Sequence, residues 1–485
     1  MKILLAGYNV DYDLIRTLKE KSATKQDITP ETISAAYARI SRSPRSVDEL
    51  RAAALAEVDK ARKSNRSIVF EMGHSSVAEH AVFNIDVIGV SRLLVEEIEK
   101  FRLCSYTEKS QRYVLFDKDY VIPDEIREAN LTDAFVQTIE MQNDFYHRLY
   151  EELRPYVFEK NKDLADNPAH KSMLEGWAKE DARYAIALAT ETQLGMTINA
   201  RNLELMLRRL SALPLAEARC LSERLYAATR EIAPSLIRYT EATDYDRRTR
   251  PNLRGFLKRI AGAGNTPSAD AVRLIRATPD ADVETAAWLL FTSSGLGYDR
   301  CLRTARRMSP RAARALFKIV FENIQPYDAA LRELENADLH FELIMSASCF
   351  AQLKRHRMAT LVSQDYDPGL GVTVPPAVRA IGRQKDFMAL IKKTNGAYEQ
   401  IRQKNPYAAS YVLTNAHRKR VLMKLNAREL YHLSRLRTDA HAQWDIRDLS
   451  KAMLTQARKV MPLTLMMACG KDDFAALRQR VFPGM

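Results

Sequence analysis

Apolar residues along the chain fall into short runs and helical repeats, and no run approaches the roughly 20 apolar residues that a membrane span requires. The opening Met1-Lys-Ile-Leu-Leu-Ala-Gly7 passes directly into polar sequence, which predicts a first β-strand and is too short for a signal peptide. Ala81-Val-Phe-Asn-Ile-Asp-Val-Ile88 has the character of another strand. Helical spacing begins after Asn199 and again after Asn426, where Leu430, Leu433 and Leu436 fall on a core-facing side. A further helix is expected to start near Leu343 and to continue through Gln352, Arg355 and His356, placing these three on one face. Periodicity breaks at Asp244-Tyr-Asp-Arg-Arg-Thr-Arg-Pro251 and at Gly262-Ala-Gly-Asn-Thr-Pro267, a linker-like stretch that puts a boundary near residue 250.

A chain of 485 residues is too long for one ordinary core, so two domains are expected, residues 1–250 and 251–485. The 46% hydrophobic content and few glycines and prolines describe a folded, helix-rich protein. Cys104, Cys220, Cys301, Cys349 and Cys469 are odd in number and lack CxxC spacing, which fits a reduced cytoplasmic compartment and neither a disulfide framework nor a metal site. The net charge of +13 can attract anionic nucleotides, polyglutamylated cofactors or nucleic acid, although such a surplus is more often a solvated basic surface. No basic groove interleaved with aromatics and no nucleic-acid motif accompanies it, which argues against nucleic acid as the partner.

The halves read as one design used twice. Thr197-Ile-Asn199-Ala-Arg201-Asn-Leu203 is echoed by Lys424-Leu-Asn426-Ala-Arg428-Glu-Leu430, each with Asn at a favoured N-cap position; Glu429, three residues on, completes a box-like arrangement. Upstream, Ser91 precedes Lys100-Phe101-Arg102 as Ser346 precedes Arg355-His356-Arg357, at the same spacing.

Four segments carry candidate chemistry, and each has a plainer reading. Gln352, Arg355 and His356 could grip a phosphate and the edge of a planar heterocycle, or could be a basic helix end complementing the helix dipole. Ser105-Tyr-Thr-Glu108-Lys-Ser110-Gln111-Arg112-Tyr113 could chelate a phosphate through Ser110 and Arg112, with Glu108 accepting from a ribose hydroxyl or orienting an arginine; alone it is a polar loop. Arg428 with His432 and Arg437 with His441 are i, i+4 pairs that form a cationic or simply solvated helix face. Gly73-His74-Ser75-Ser76-Val-Ala-Glu79-His80 suits a turn that approaches a cofactor closely, with His80 favoured as a core histidine.

In order, these segments resemble the flavin-dependent thymidylate synthases. The family pattern runs G-H-x-S/T-x-x-E-H, S-R, Q-x-x-R-H-R, E-x-S-x-R-Y, N-A-R-x-L and L-R-x-D-x-H-A-Q. Here it is matched by Gly73–His80, Ser91-Arg92, Gln352 with Arg355-His356-Arg357, Glu108-Lys-Ser110-Gln111-Arg112, Asn426-Ala-Arg428 and Leu436-Arg437-Thr-Asp439-Ala-His441-Ala-Gln443. The resemblance implies an α+β fold in two tandem copies, each with a sheet packed against long helices. It also implies a chain that dimerises into a pseudo-tetramer and transfers a methylene from methylenetetrahydrofolate to dUMP, with FAD and NADPH. By the same resemblance Arg437 is the catalytic residue. FAD is held by His74, Ser76, Glu108, Arg355, His356, Arg357, Asn426, Arg428 and His432. The nucleotide is held by Glu108, Ser110, Gln111, Arg112, Arg183, Gln352, Arg355 and Arg437. His432 stands where the family has Asn or Gln.

Neither half keeps the whole pattern. The first has Lys100-Phe101-Arg102 in place of R-H-R, Glu97 in place of the Gln, and Leu210 in place of the activating Arg; the second has Ser363-Gln-Asp365-Tyr-Asp367 in place of E-x-S-x-R and Ser410 in place of Arg183. The losses complement one another, which implies one composite site built from both halves. Other outcomes stay open from sequence: methyl or hydroxymethyl transfer to another pyrimidine nucleotide, or a flavin- and nucleotide-binding module without turnover.

Overall fold

Alternating apolar positions become two four-stranded sheets in the computed structural model, which describes residues 1–11, 14–15, 29–39, 43–112, 114–116, 119–260 and 270–483. Tyr113 and the expected Gly262–Pro267 break lie outside the described residues. Met1–Gly264 and Ala380–Leu413 form one compact unit, and Asn265–Arg379 with Thr414–Met485 form the other.

In the first unit, β1 (Lys2–Tyr8), β2 (Val82–Ser91), β3 (Ser105–Glu108) and β4 (Glu191–Asn199) pair antiparallel in the order β1-β2-β4-β3. Thr192, Leu194, Met196 and Ile198 alternate inward along β4, so one sheet face is buried, as a period of two requires. Ser91 ends β2 and caps α1 (Arg92–Ile98) by accepting from the Leu94 N–H at 3.0 Å. The long helix α2 (Thr132–Lys160) follows. Asn199 ends β4 and caps α3 (Ala200–Ser211) by accepting from the Asn202 N–H at 2.9 Å. Leu203, Met206, Leu207 and Leu210 of α3 enter the core, and α4 (Ala216–Thr229) follows.

The second repeat follows the same plan. β5 (Val272–Ala277), β6 (Asp338–Ser346), β7 (Thr360–Ser363) and β8 (Arg418–Asn426) take the order β5-β6-β8-β7. Ser346 caps α5 (Ala347–Leu353) through the Cys349 N–H at 3.0 Å. The helix α6 (Gln384–Lys404) belongs to the first unit, where the Gln142 Nε2 of α2 donates to Thr394 Oγ1 and to the Val412 carbonyl, both at 2.9 Å. Asn426 caps α7 (Ala427–Arg437) through the Glu429 N–H at 2.9 Å, and α8 (Trp444–Val460) completes the repeat.

A second lock recurs with each serine. Ser91 Oγ donates to Glu217 of α4 at 2.7 Å, and Ser346 Oγ donates to Asp445 of α8 at 2.5 Å. Each lock ties the end of a central strand to the helix that follows the Asn-capped one. The sheets differ at Gly89, whose φ of 75° permits a bulge between Ile88 and Val90 in β2. Ile344 stands at that position in β6, and the β6–β8 ladder runs without a shift.

Three expectations are corrected. Leu343–Ser346 end a strand, and the helix begins only at Ala347, because both faces of β6 are largely buried there and the apolar run has no strand-like alternation. Asp244–Ile260 is a helix with no buried residue despite Pro251; acids in its first turn and bases in its last turn suit the helix dipole, and the linker-like composition reflects its mostly exposed surface. Leu436 is 37% exposed, since α7 ends one residue later and only Leu430 and Leu433 reach the core.

Candidate functional site

In the second unit, α5 ends at Leu353 and the chain turns through Arg355-His356-Arg357. The three side chains therefore do not share a helix face with Gln352. Arg355 and Arg357 are exposed, while His356 is 3% exposed and lies beneath the turn. His356 Nδ1 is 3.0 Å from Glu429 Oε1, and Arg437 Nε donates to His356 Nε2 at 3.1 Å. Arg437 also donates through an Nη to the Gln352 carbonyl at 3.2 Å, and the Gln352 side-chain amide donates to Gln443 Oε1, also at 3.2 Å.

Burial drives the His356 pKa below its usual value, a hydrogen bond to Glu429 opposes this, and the Arg437 charge lowers it further. His356 is thus a neutral internal strut, with the Arg437 guanidinium tied to it near the end of α7. The expected capping box at Asn426 forms only by half: Asn426 caps, but the Glu429 carboxylate goes to His356. Arg428 donates to the Ala330 carbonyl at 2.7 Å and to Glu335 at 3.0 Å, contacts that tie the start of α7 to the segment before β6. His432 is exposed, with its ring 5.6 Å from that of His356 and tilted edge-on. His441 lies beyond the end of α7 and is exposed. Donor atoms of His356, Glu429 and His432 lie within 4.8 Å of one another, with the Arg437 guanidinium against His356 Nε2 adding a positive charge beside them.

In the first unit, Gly73 takes a φ of 77° and opens the expected turn, followed by a 3-10 segment over Ser75–His80. His74 and Ser76 are exposed there; His80 is exposed too, with its ring edge-on to Tyr37 at 4.7 Å, so it is not the core histidine expected. Glu108 ion-pairs with Arg92 and accepts from Thr192 Oγ1 at 3.3 Å, which makes it an arginine-orienting group. Beyond the end of β3, Ser110 Oγ accepts from the Arg112 N–H at 3.2 Å, and Arg112 Nε donates to Glu180 at 2.5 Å. Gln111 is buried. Arg183 is buried as well; desolvation lowers its pKa, and the Glu180 carboxylate opposes that loss. Glu180 thus stands beside both Arg112 and Arg183 and keeps a cationic pair in one place.

Two segments, residues 24–235 and 273–463, match the model of the thymidylate synthase complementing protein family. The chain belongs to this family. It is 25% identical over 425 residues to the UPF0159 protein of Chlamydia muridarum, covering 84% of this chain and 80% of that one. It is 33% identical over 217 residues to the flavin-dependent thymidylate synthase of Clostridium tetani, covering 44% of this chain and 82% of that one. A solved flavin-dependent thymidylate synthase of Helicobacter pylori is 20% identical with a TM-score of 0.30, covering 50% of this chain and all of that one.

The family fold is thus present twice as α+β copies. Sequence reasoning missed Glu429, Gln443, Arg92 and Glu180 as site residues. Arg92 and Gln443 stand inside family motifs without an evident role of their own. Glu429 satisfies a local capping pattern that hides its partner 73 residues upstream. Glu180 lies 68 residues from Arg112, with no local signal to link them.

Proposed function

We propose that this chain catalyses flavin-dependent methylation of dUMP to dTMP, with methylenetetrahydrofolate as carbon donor and NADPH as reductant. The observation that carries this reading is the division of parts between the copies. The second copy holds Gln352, His356 and Arg437 in one hydrogen-bonded network, and the first holds Ser110, Arg112 and Arg183 around Glu180. Both sets serve one reaction, and the chain acts as a homodimer with fewer working sites than a homotetramer of the family.

A flavin nucleotide suits the second copy. Arg355 and Arg357 are exposed on either side of His356, and two guanidinium forks there match the geometry of a pyrophosphate. Those residues would hold FAD with Asn426, Arg428 and His432, and with His74, Ser76 and Glu108 of the first copy. Bound FAD would supply carriage of the one-carbon unit and the reducing equivalents that make it a methyl group.

Arg112, Ser110, Gln111 and Arg183 would hold the nucleotide phosphate, with Gln352 and Arg355 on its base side. Arg437 would stabilise negative charge that develops on the uracil as carbon 5 becomes nucleophilic. This chemistry asks for no enzyme thiol; burial pushes the Cys469 thiol up to about 11.

Tritium release from dUMP labelled at carbon 5, with FAD, NADPH and methylenetetrahydrofolate supplied, tests the reading. Release from dUMP supports it. Release only from another pyrimidine nucleotide moves the substrate, and no release from any would leave a binding module.

A further inference from the structure

Arginine can only donate hydrogen bonds, so the His356 nitrogen that faces Arg437 must be an acceptor. That nitrogen is Nε2, 3.1 Å from Arg437 Nε. The ring is then neutral with its proton on Nδ1, 3.0 Å from the Glu429 carboxylate. The His356 and Glu429 side chains are buried, at 1% and 6% exposed, which shields the contact between them from water. The charged and titratable groups around the ring are Glu429 and His432 from α7 and Arg437 at its end.

We propose that Glu429 is a positioning residue that fixes the His356 tautomer and, through it, the plane of the Arg437 guanidinium. The carboxylate accepts the Nδ1 proton, and Nε2 is left as a lone-pair acceptor. That acceptor and the Gln352 carbonyl take two of the Arg437 donors, one from Nε and one from an Nη. Two acceptors on two different nitrogens define a plane, whereas one would leave the guanidinium free to rotate. In the other tautomer, Nε2–H would face the Arg437 N–H, donor against donor, and the guanidinium would be displaced. The Asn426 side chain helps set this chain of contacts, because it fixes the Glu429 backbone at the first turn of α7. Every contact lies within one unit. The family pattern leaves the Glu429 position open.

The catalytic meaning of this device rests on the proposed activity; the tautomer does not. The first measurement is therefore nitrogen-15 NMR of the full chain with labelled histidine, His356→Phe assigning the resonance among the nine histidines. The expected result is a protonated Nδ1 and an unprotonated Nε2 in the wild type. A protonated Nε2 there would overturn the proposal whatever the enzyme does. Glu429→Ala should shift the ring towards the Nε2–H form and lower kcat by about tenfold or more, with a smaller change in nucleotide KM. Glu429→Gln keeps an oxygen to accept from Nδ1–H and should hold kcat within about threefold of wild type. A Glu429→Ala protein that folds, keeps the Nδ1–H form and keeps its kcat contradicts the proposal. Should that variant not fold, the wild-type tautomer and the Glu429→Gln rate decide. A wild type that turns over no nucleotide removes the proposed activity and leaves the tautomer result standing.

Discussion

At corresponding positions the two copies put opposite chemistry on the same backbone. Arg437 ends the Asn-capped helix of the second copy, bonded to His356; Leu210 lies at the end of that of the first, 1% exposed among Leu203, Met206 and Leu207. His356 is a buried polar strut, whereas Phe101 packs against the first unit's core. Arg355 is exposed in its turn, whereas Lys100 pairs at 2.6 Å with Glu97, the counterpart of Gln352. The pattern reverses downstream: Arg112 pairs with Glu180, while its counterpart Asp367 accepts from the Gly369 N–H at 2.8 Å and caps a turn. Where one copy carries a polar group of the proposed site, the other carries packing, a local ion pair or a cap at the same position. The capping serines and asparagines stay in both copies because they hold the fold.

The sharpest break of this comparison is at the helix ends. Arg437→Ala should lower turnover by about a thousandfold while FAD stays bound, as removal of a group that acts in the transition state does. Leu210→Ala should instead destabilise the protein by about 2–5 kcal/mol, the usual cost of a truncated core leucine, with the rate per folded molecule unchanged. Steady-state kinetics beside denaturant unfolding would separate the two, and an active Arg437→Ala protein would remove the role proposed for that residue.

A smaller contrast concerns phosphate. Arg112→Ala should weaken nucleotide binding by about 2 kcal/mol, and Asp367→Ala should leave binding almost unchanged while costing about 1 kcal/mol of local stability as a lost cap. Calorimetric titration with dUMP would show whether the two copies differ in this way.

Smaller still is a difference in acid response. Burial lowers the His417 pKa to about 4, and His356 is lowered in the same direction; Thr190 and Phe101 stand at their counterparts in the first copy. A histidine whose folded pKa is lowered costs nothing above its unfolded pKa, and the fold loses stability as pH falls below it. For His417 the window runs from about 6.5 to about 4, so the second unit should lose about 2 kcal/mol between pH 6.5 and 5. Hydrogen exchange at pH 7 and 5 should show that unit opening first, and equal protection of both units at pH 5 would contradict it.

Local chemistry makes part of this legible from the order of residues alone. The Ser91 and Ser346 caps and the Asn199 and Asn426 caps depend on contacts within three residues, and their spacing reveals the repeat. Alternation locates β2. The apolar run Leu343-Ile-Met-Ser346 carries no such alternation, so the end of a strand reads there as the start of a helix. The partners of Glu429 and Arg112, and the placing of Ala380–Leu413 with the first unit, depend on residues far apart in the chain. Periodicity has no access to those.

The central claim is that the two copies divide one set of parts, so each chain has the residues for one flavin. FAD titration into flavin-free protein, followed by absorbance and by calorimetry, counts the sites directly. Saturation at about one FAD per chain, abolished or weakened by Arg355→Ala and untouched by Lys100→Ala, is the result expected of one R-H-R turn per chain. Two equivalent FAD per chain would contradict the division of labour.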